Sequence, residues 1–451
     1  MWIKIPKTDN QLRERLHRSC RKTQNTRYLT NFASFTRCAT VMKPVIKNPP
    51  PYVTLGEIAA VAKRVGAVVE QARQGMLPPM ARKTAPTVPS AQLCAICEID
   101  KGKLDYQVKK GNLPPGTVAD GRRRFSLAEA RAWTKELRKP MLRPSSVCEA
   151  VTISIGNFKG GVSKTTTAMT LAQGLSLRGH RVLAIDCDPQ GSLTTLFGVL
   201  PDTEVESEQT ILPLCMGEAD SIKSAIRPTY WDGIDLVAGA PLLFSAEFAL
   251  PARQSRDRNF EFWNVLHYGI DPVRPEYDVI IIDTPPSLSY TTINAFLASD
   301  GIVMPLPPNA LDFASSAQFW DLFSDLADQL VTARGAMKRF DFIDVLLARV
   351  DSHDAASAVV REWIAAGYGK MVLPVEVPKT SLTVTASAEF GTVYDVERGA
   401  ADARTYRRAA DAYERVVNMI EEQIQAAWQR QLLGVPAEAS DSPEDIATAG
   451  A

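Results

Sequence analysis

At 451 residues the chain exceeds one ordinary domain, and its 45% hydrophobic and 23% charged residues are typical of a globular protein. The 51 basic and 51 acidic side chains balance, so the net charge indicates no particular partner. Seven cysteines over this length do not form a disulfide framework, and no apolar run is long enough for a membrane helix. No signal peptide is recognisable, so a cytoplasmic protein is expected.

Residues 1–50 are basic and irregular, and a run of three prolines closes the segment. Three interpretations fit: a nucleic-acid-binding arm, a mitochondrial-type presequence, or sequence upstream of a translation start at Met42. We favour the last of these or a disordered arm, and we assign the segment no function.

A helical pattern begins at Val53, and a linker rich in proline and basic residues covers 76–89. The next stretch predicts two short helices, at 90–97 and 101–110, joined by a tight turn. A basic strand–turn–strand over 117–125 follows. Two helices across a tight turn followed by a basic hairpin indicate a winged helix-turn-helix, a DNA-binding motif.

Ser126, with Glu129 three residues later, is a typical helix N-cap and predicts a further helix. Cys94 and Cys97 are the only close cysteine pair. Because no second pair and no histidine lie near them, we interpret them as one helix face and not as a zinc site.

The helix pair and hairpin resemble the MerR type of winged helix-turn-helix, whose signature is a helix pair, K-x-G-x-L-P, and a wing ending in R-R-x-F-S. Basic side chains there would hold DNA phosphates, while Tyr106 and Gln107 would read base edges. A solvated basic face on a small helical domain is the alternative. The candidate operator-binding residues are Lys101, Lys103, Tyr106, Gln107, Lys109, Lys110, Arg122, Arg123 and Arg124.

A β-branched run at 151–155 leads into a glycine loop and then a helical pattern. Strand, glycine loop, Lys-Thr and helix together make a phosphate-binding loop. Backbone N–H groups of the loop and the helix N-terminus would face an anion. Lys164 would reach the β- and γ-phosphates, and the Thr165 hydroxyl would bind Mg²⁺. The ATP-binding candidates are Lys159, Gly160, Gly161, Val162, Ser163, Lys164, Thr165 and Thr166.

Two more predicted strands end in carboxylates. Arg181–Ile185 runs into Asp186 and Asp188, and the strand 277–282 runs into Asp283 and a Thr-Pro-Pro segment. The carboxyl ends of parallel strands form the crevice where α/β sheets bind ligands. Asp283 is therefore predicted near the Mg²⁺ shell, with the Thr-Pro-Pro segment as a switch that senses the γ-phosphate.

The motif K-G-G-x-x-K-T-T at Lys159–Thr166 resembles the deviant Walker A motif of the ParA/MinD family of ATPases, and the resemblance extends from Val151 to Leu433. It implies that Asp186 orients Mg²⁺ through water and that Asp188 positions the attacking water. It also implies that Lys159 crosses a dimer interface to the partner's phosphates. Ser163 replaces the usual glycine, so we expect slightly different backbone torsions there.

Strands are further predicted at 301–306, 342–348 and 372–375, alternating with helical patterns as in a doubly wound sheet. A long amphipathic helix ends near Gln431, and a disordered tail follows from Val435. In partition ATPases, basic residues at this end of the ATPase domain bind DNA through phosphates. An ordinary solvated helix face is the alternative. The candidates for non-specific DNA binding are Lys379, Arg398, Arg404, Arg407 and Arg408.

The predicted fold class is α/β, a mostly parallel P-loop sheet with an N-terminal, mainly helical winged helix-turn-helix domain. The predicted domains are the arm 1–50, the DNA-binding domain 51–145, the ATPase domain 146–434 and the tail 435–451. The resemblance implies a slow, Mg²⁺-dependent ATPase for plasmid or chromosome partition, using ATP and ADP.

In that interpretation an ATP-bound homodimer coats nucleoid DNA, and a centromere-binding partner stimulates hydrolysis. The N-terminal domain would bind an operator and repress the partition genes. A repressor that only senses nucleotide is the alternative. A MinD-like membrane protein lacks its basic amphipathic terminal helix here. A nitrogenase-reductase-like iron–sulfur protein lacks its cysteines after Cys215.

Overall fold

The computed structural model describes residues 53–76, 83–351, 353–379, 391–395 and 403–434. The arm 1–50 and the tail from 435, both predicted from the sequence, lie outside these residues. One compact unit of the chain ends at Pro79 and a second begins at Met80.

The first unit contains helix α1 (Leu55–Met76), which confirms the helical pattern predicted from Val53. Thr54 and Glu57 cap it reciprocally: the Glu57 N–H donates to Thr54 Oγ1 at 3.2 Å, and the Thr54 N–H donates to Glu57 Oε2 at 2.7 Å.

The second unit contains the other helices and strands that the structure describes. The helices are α2 (Ser90–Ile96), α3 (Lys101–Lys110), α4 (Leu127–Leu137), α5 (Lys164–Leu177), α6 (Ser192–Leu196), α7 (Leu212–Met216), α8 (Ala246–Arg256), α9 (Val265–Ile270), α10 (Tyr290–Ala298), α11 (Ala310–Leu330), α12 (Ala355–Tyr368) and α13 (Ala403–Leu433). The strands are β1 (Val88–Pro89), β2 (Thr117–Ala119), β3 (Arg122–Phe125), β4 (Val151–Ile155), β5 (Val182–Asp186), β6 (Arg227–Pro228), β7 (Ile234–Val237), β8 (Val279–Asp283), β9 (Gly301–Leu306), β10 (Phe342–Val350) and β11 (Val372–Pro378).

The predicted helix pair and hairpin are confirmed as local structure. Asp100 caps α3 through a 2.7 Å bond from the Lys103 N–H, and Gly111 ends the helix in a left-handed conformation, φ +74°. Ser126 and Glu129 form the expected capping box at the start of α4. Strands β1, β3 and β2 form a three-stranded antiparallel sheet in that order.

The large sheet has the strand order β11-β10-β9-β4-β8-β5-β7-β6. All neighbours pair in parallel except β6, which runs antiparallel to β7. The predicted α/β fold class is therefore confirmed, as are the strands beginning at residues 151, 301, 342 and 372. The short strands β6 and β7 were missed in the sequence.

Both edges of the sheet carry proline. The edge strand β6 is two residues long and ends in Pro228, and the edge strand β11 contains Pro374 and Pro378. The Lys379 N–H donates to the carbonyl of Val350 at 2.9 Å, so the preceding residue, Pro378, turns its nitrogen away from β10.

Strand β4 lies inside the sheet, and all five of its residues are buried. On one face its odd-numbered residues pack in an apolar cluster with α5 and α13. On the other face, residues of β8 pack with α10 and α11 around Phe296 and Phe319. Fully burying one such side chain contributes about 1.5–3 kcal/mol. This packing fixes the carboxyl-terminal ends of β4, β5 and β8, which lie next to one another along the same side of the sheet.

The helix–hairpin region packs directly on the sheet domain. Phe125 and Trp133 belong to the same apolar cluster as β4 and α5. Arg131 of α4 is 5% exposed and donates to the carbonyls of Ser176 (3.1 Å) and His180 (3.0 Å) and to the carboxylate of Asp232 (2.7 Å). The end of the phosphate-loop helix is thereby bonded to α4.

A buried group of charged and polar side chains, here called the Glu421 cluster, reinforces this contact. It consists of Arg138, Arg178, His180 and Glu421. Both Glu421 oxygens accept from Arg138, at 2.9 and 2.8 Å, and His180 Nε2 lies 2.7 Å from Glu421 Oε1. Burial alone would raise the pKa of Glu421, but the bonds and charges of His180 and Arg138 outweigh it and lower the pKa to about 2.

Candidate active site

The loop 156–163 connects β4 to α5 and is held by its own polar groups. The Asn157 side chain donates to the Pro305 carbonyl (2.9 Å) and accepts from the Lys159 N–H (3.0 Å). Lys164 is 6% exposed, and its Nζ donates to the Lys159 carbonyl at 2.9 Å. The backbone N–H groups of residues 160–163 donate to no acceptor within the part of the chain that the structure describes. Such a row of free N–H groups before a helix N-terminus suits a phosphate.

Ser163 stands at the turn into α5 with φ +79° and ψ 24°, in the left-handed region. The sequence led us to expect torsions different from those of glycine, but the serine enters the region that glycine occupies freely. For a non-glycine residue this conformation is less favourable than the right-handed one by about 1–2 kcal/mol. The loop therefore keeps its shape at the expense of local strain.

This strain predicts the effect of two substitutions. Ser163→Gly is expected to leave the free energy of unfolding equal or higher and nucleotide affinity within about twofold, because glycine removes the steric conflict. Ser163→Val is expected to lower the free energy of unfolding by about 1–3 kcal/mol, because a β-branched residue at positive φ is a strong outlier. Urea unfolding of the two variants tests this, and a valine variant more stable than the glycine variant would contradict it.

The predicted carboxylates meet beside this loop. Asp186 and Asp283 end the neighbouring strands β5 and β8 and face each other in register. Both Asp283 oxygens are buried, and neither accepts a hydrogen bond of normal geometry from the residues that the structure describes. Burial and the nearby Asp186 raise the pKa of Asp283 well above its usual range, while Thr165 and Lys164 oppose the rise. A buried carboxylate with unsatisfied oxygens fits a cation.

Asp186 is held by residues that the sequence did not single out. Its Oδ2 accepts from the Thr194 N–H (2.9 Å) and hydroxyl (2.8 Å), and its Oδ1 accepts from the Asp188 N–H (3.1 Å). Burial raises the pKa of Asp186 to about 7, against the bonds from Thr194, which lower it. A Cβ on Gly239 would lie 2.6 Å from Asp186 Cγ, so only glycine fits there. These bonds already occupy both oxygens, which suits contact with a cation through water.

Within the described ranges, no three His, Cys, Asp or Glu side chains gather closely enough to form a metal cage by themselves. Mg²⁺ is usually bound by one or two carboxylates together with substrate phosphates and water. The arrangement of Thr165, Asp186 and Asp283 fits that mode. The site is therefore suited to Mg²⁺ with ATP or ADP.

Two further predicted residues lie at this edge. Asp188 is 8% exposed; its Oδ1 accepts from the Gln190 N–H at 2.9 Å, and its other oxygen makes no hydrogen bond to the residues described. Thr284, in the predicted switch segment, donates its hydroxyl to the Ile155 carbonyl at 2.8 Å. The Thr-Pro-Pro segment is thus attached to the end of β4, where the phosphate loop begins.

Lys159 belongs to the same loop and is half-buried. Its backbone is bonded as described above, but its ammonium has no ion pair or hydrogen bond in the described ranges. Gly160 and Gly161 beside it are exposed. The side chain is thus available for a group outside this chain.

The candidate operator-binding residues lie on α3 and on the hairpin of β2 and β3. Tyr106 is 60% exposed. Lys101 of α3 and Arg122, Arg123 and Arg124 of β3 line one cavity of about 590 Å³. Arg124 Nη1 donates to Thr87 Oγ1 at 3.2 Å, and Arg123 bonds to the Pro115 carbonyl. Of the remaining candidates, Lys103, Lys109 and Lys110 are exposed and Gln107 is half-buried.

The candidates for non-specific DNA binding gather at the end of β11 and the start of α13. Lys379, Arg404, Arg407 and Arg408 are exposed. Pro378 and Arg408 line the same groove. Arg398 lies outside the described residues.

Cys94 belongs to α2, and Cys97 follows that helix directly. Both thiols are free, and burial raises the pKa of Cys97 to about 12. Among the described helices, none is long and apolar enough to cross a bilayer.

Comparison with known proteins places this chain in a family. The family model described as "AAA domain" matches residues 150–333. The "Putative replication protein A" of Rhizobium rhizogenes is 30% identical over 405 residues, which cover 86% of this chain and 99% of the relative. The "Chromosome partitioning protein ParA" of Caulobacter vibrioides (strain NA1000 / CB15N) is 30% identical over 244 residues, or 53% of this chain and 84% of the relative. This chain belongs to the ParA/MinD family of P-loop ATPases.

A solved structure described as "Partition Protein" has a TM-score of 0.57 and 18% identity, covering 82% of this chain and 98% of the other. That likeness confirms the fold. The relatives, which are described as partition and replication proteins, confirm the resemblance to the ParA/MinD family that the K-G-G-x-x-K-T-T motif indicated. The roles of individual site residues remain predictions.

Proposed function

We propose that this chain is a DNA-partition ATPase that binds ATP and Mg²⁺, dimerises around the nucleotide and then binds DNA without sequence preference. The observation that carries the proposal is the convergence of Lys164, Thr165 and Asp283 on a loop in which the N–H groups of residues 160–163 donate to no acceptor in the described part of the chain. The predicted catalytic carboxylate, Asp188, lies at the same edge. A Gly-rich turn that bound nothing would leave the buried Asp283 carboxylate without compensation.

Each residue has a distinct role in hydrolysis. Lys164 and the loop N–H groups bind the phosphates, and Thr165 and Asp283 would hold Mg²⁺, with Asp186 acting through water. The cation would neutralise charge on the phosphate oxygens. Asp188 orients the attacking water with its unbonded oxygen. Lys159 of one protomer contacts the phosphates bound to the other, so that nucleotide links two copies.

DNA binding is proposed at two separate surfaces. The α3–hairpin surface acts as a winged helix-turn-helix that binds an operator and represses the partition genes. Lys379, Arg407 and Arg408 contribute to non-specific binding through phosphates, which places the dimer on the nucleoid. A centromere-binding partner stimulates a slow basal hydrolysis and releases the dimer. The support for the first surface is the confirmed helix pair and hairpin with its exposed basic side chains.

The test is DNA binding by the full chain, on random duplex and on its own upstream DNA, with ATP, ADP or no nucleotide. We expect random-duplex binding only with ATP, and its loss in Lys164→Ala, because the dimer depends on bound nucleotide. Binding to upstream DNA alone, whatever the nucleotide, would contradict partition and favour a repressor that only senses nucleotide.

Two variants separate the proposed surfaces. Arg407→Ala with Arg408→Ala is expected to weaken random-duplex binding and to flatten its dependence on salt, because two phosphate contacts are lost. Arg122→Ala with Lys103→Ala is expected to weaken binding to upstream DNA only. Equal effects of both variants on both DNAs would contradict the assignment of two surfaces.

A further inference from the structure

Arg349 occupies an unusual place near the end of β10. Between the pairs Leu347–Glu376 and Val350–Pro378, three steps on β10 oppose two on β11, so β10 carries a bulge. Within it Arg349 adopts φ +55°, a left-handed conformation that disfavours any residue with a Cβ. Bulges beside functional sites commonly redirect one side chain. The strained position therefore calls for a compensating role of the Arg349 side chain.

The redirected side chain reaches the phosphate loop. Arg349 Nη1 donates to the carbonyl of Gly161, on the strand-to-helix loop of a distant part of the sequence. The side chain is exposed, and across the ranges that the structure describes it forms no ion pair. A Cβ placed on Gly161 would lie 3.6 Å from the same Arg349 nitrogen. The contact with the loop is thus the principal interaction of this guanidinium.

The consequence follows from the planarity of the peptide unit. The Gly161 carbonyl and the Val162 N–H belong to one peptide, and in a trans peptide they point in opposite directions. A donor that holds the Gly161 carbonyl therefore directs the Val162 N–H to the opposite side of that peptide. That N–H has no acceptor among the residues described. Lys164 holds the Lys159 carbonyl of the same loop in a comparable way.

We propose that Arg349 is a positioning residue for the nucleotide phosphates: it fixes the Gly161–Val162 peptide so that the Val162 N–H faces the anion. This inference rests on the proposed nucleotide binding at the loop. Because the loop N–H groups serve the phosphates common to ATP and ADP, Arg349 contributes equally to the binding of both.

The test is nucleotide binding by Arg349→Gly and Arg349→Lys, titrated with ADP and with a non-hydrolysable ATP analogue in the presence of Mg²⁺. Arg349→Gly is expected to raise both Kd values about tenfold, the effect of one charge-assisted hydrogen bond. Arg349→Lys keeps a donor and is expected to recover most of the affinity. Lys370→Ala, which removes another exposed basic side chain, is the matched control and is expected to leave both Kd values unchanged.

Thermal unfolding without nucleotide separates positioning from support of the fold. Arg349→Gly is expected to unfold at the same temperature as the wild type or higher, because glycine relieves the positive φ. A Kd within twofold of wild type for both nucleotides would overturn the inference while leaving the proposed function standing, and a loss confined to the ATP analogue would also overturn it. If the wild type bound neither nucleotide, the proposed function would fail and this inference with it.

Discussion

Asp188→Asn is expected to lower kcat for ATP hydrolysis about 10²–10⁴-fold, the typical contribution of a residue that acts as general base toward the attacking water. The amide has the same shape and keeps an oxygen for the 2.9 Å bond from the Gln190 N–H. It loses the negative charge on the oxygen that is left unbonded. ATP affinity should stay within about threefold, because Asp188 does not belong to the loop that holds the phosphates. Single-turnover hydrolysis and nucleotide titration measure the two quantities separately.

The control for this experiment is Asp220→Asn, which removes an exposed aspartate outside the site and should leave both quantities at wild-type values. A kcat of Asp188→Asn within fivefold of the wild-type value would contradict the role of Asp188 in orienting the attacking water. A parallel loss of affinity and kcat would instead indicate that the substitution disturbed Asp186, whose Oδ1 accepts from the Asp188 N–H.

Glu421→Ala is expected to lower the free energy of unfolding by about 3–5 kcal/mol, the usual result of removing one partner from a buried ion pair. Glu421 is 4% exposed and bonds Arg138 through both oxygens. Its loss leaves Arg138 and Arg178 close together and without that carboxylate. Urea unfolding at neutral pH measures the change. Glu422→Ala, at the exposed neighbouring position, is the control and should stay within about 0.5 kcal/mol of wild type.

The pH dependence of this difference is a second measurement on the same pair of proteins. The pKa of Glu421 is lowered from 4.5 to about 2 in the folded chain, so its stabilising charge is fully present above pH 4.5. As the pH falls from 4.5 towards 2, the wild type should lose this contribution, and the difference from Glu421→Ala should shrink. A difference that grows over this range would contradict the assigned ion pair.

The sequence predicted the elements whose chemistry is local. β4 is followed by Lys164 after one short loop, and β8 ends in Asp283, so each hydrophobic run lies close in sequence to its functional group. The capping box of Ser126 and the glycine at the end of α3 are similarly short-range. For these elements periodicity and turn residues agreed with the fold, so the predicted strands and the structure coincide.

The residues that support the site could not be predicted in this way. Gly239 lies beside Asp186 only because β7 pairs with β5, and β7 was missed because Ile234–Val237 is short and interrupted by Asp235. Arg349 depends on a register shift that no sequence pattern records. Glu421 belongs to a helix whose sequence pattern is amphipathic, and a glutamate on such a helix is ordinarily expected on the solvated face. Each depends on tertiary contacts across long stretches of chain.

The prolines at the sheet edges restrict how copies of this chain can assemble. Pro378 turns its backbone nitrogen, which carries no hydrogen, towards the outside of β11. Pro228 ends the two-residue strand at the opposite edge. A second copy therefore cannot continue the sheet through these positions by backbone pairing. In the dimer proposed above, contacts between copies would therefore fall to side chains and to the nucleotide bound in the crevice. An assembly of that kind can dissociate after a reaction in the crevice, because no hydrogen bonds between strands of the two copies have to break.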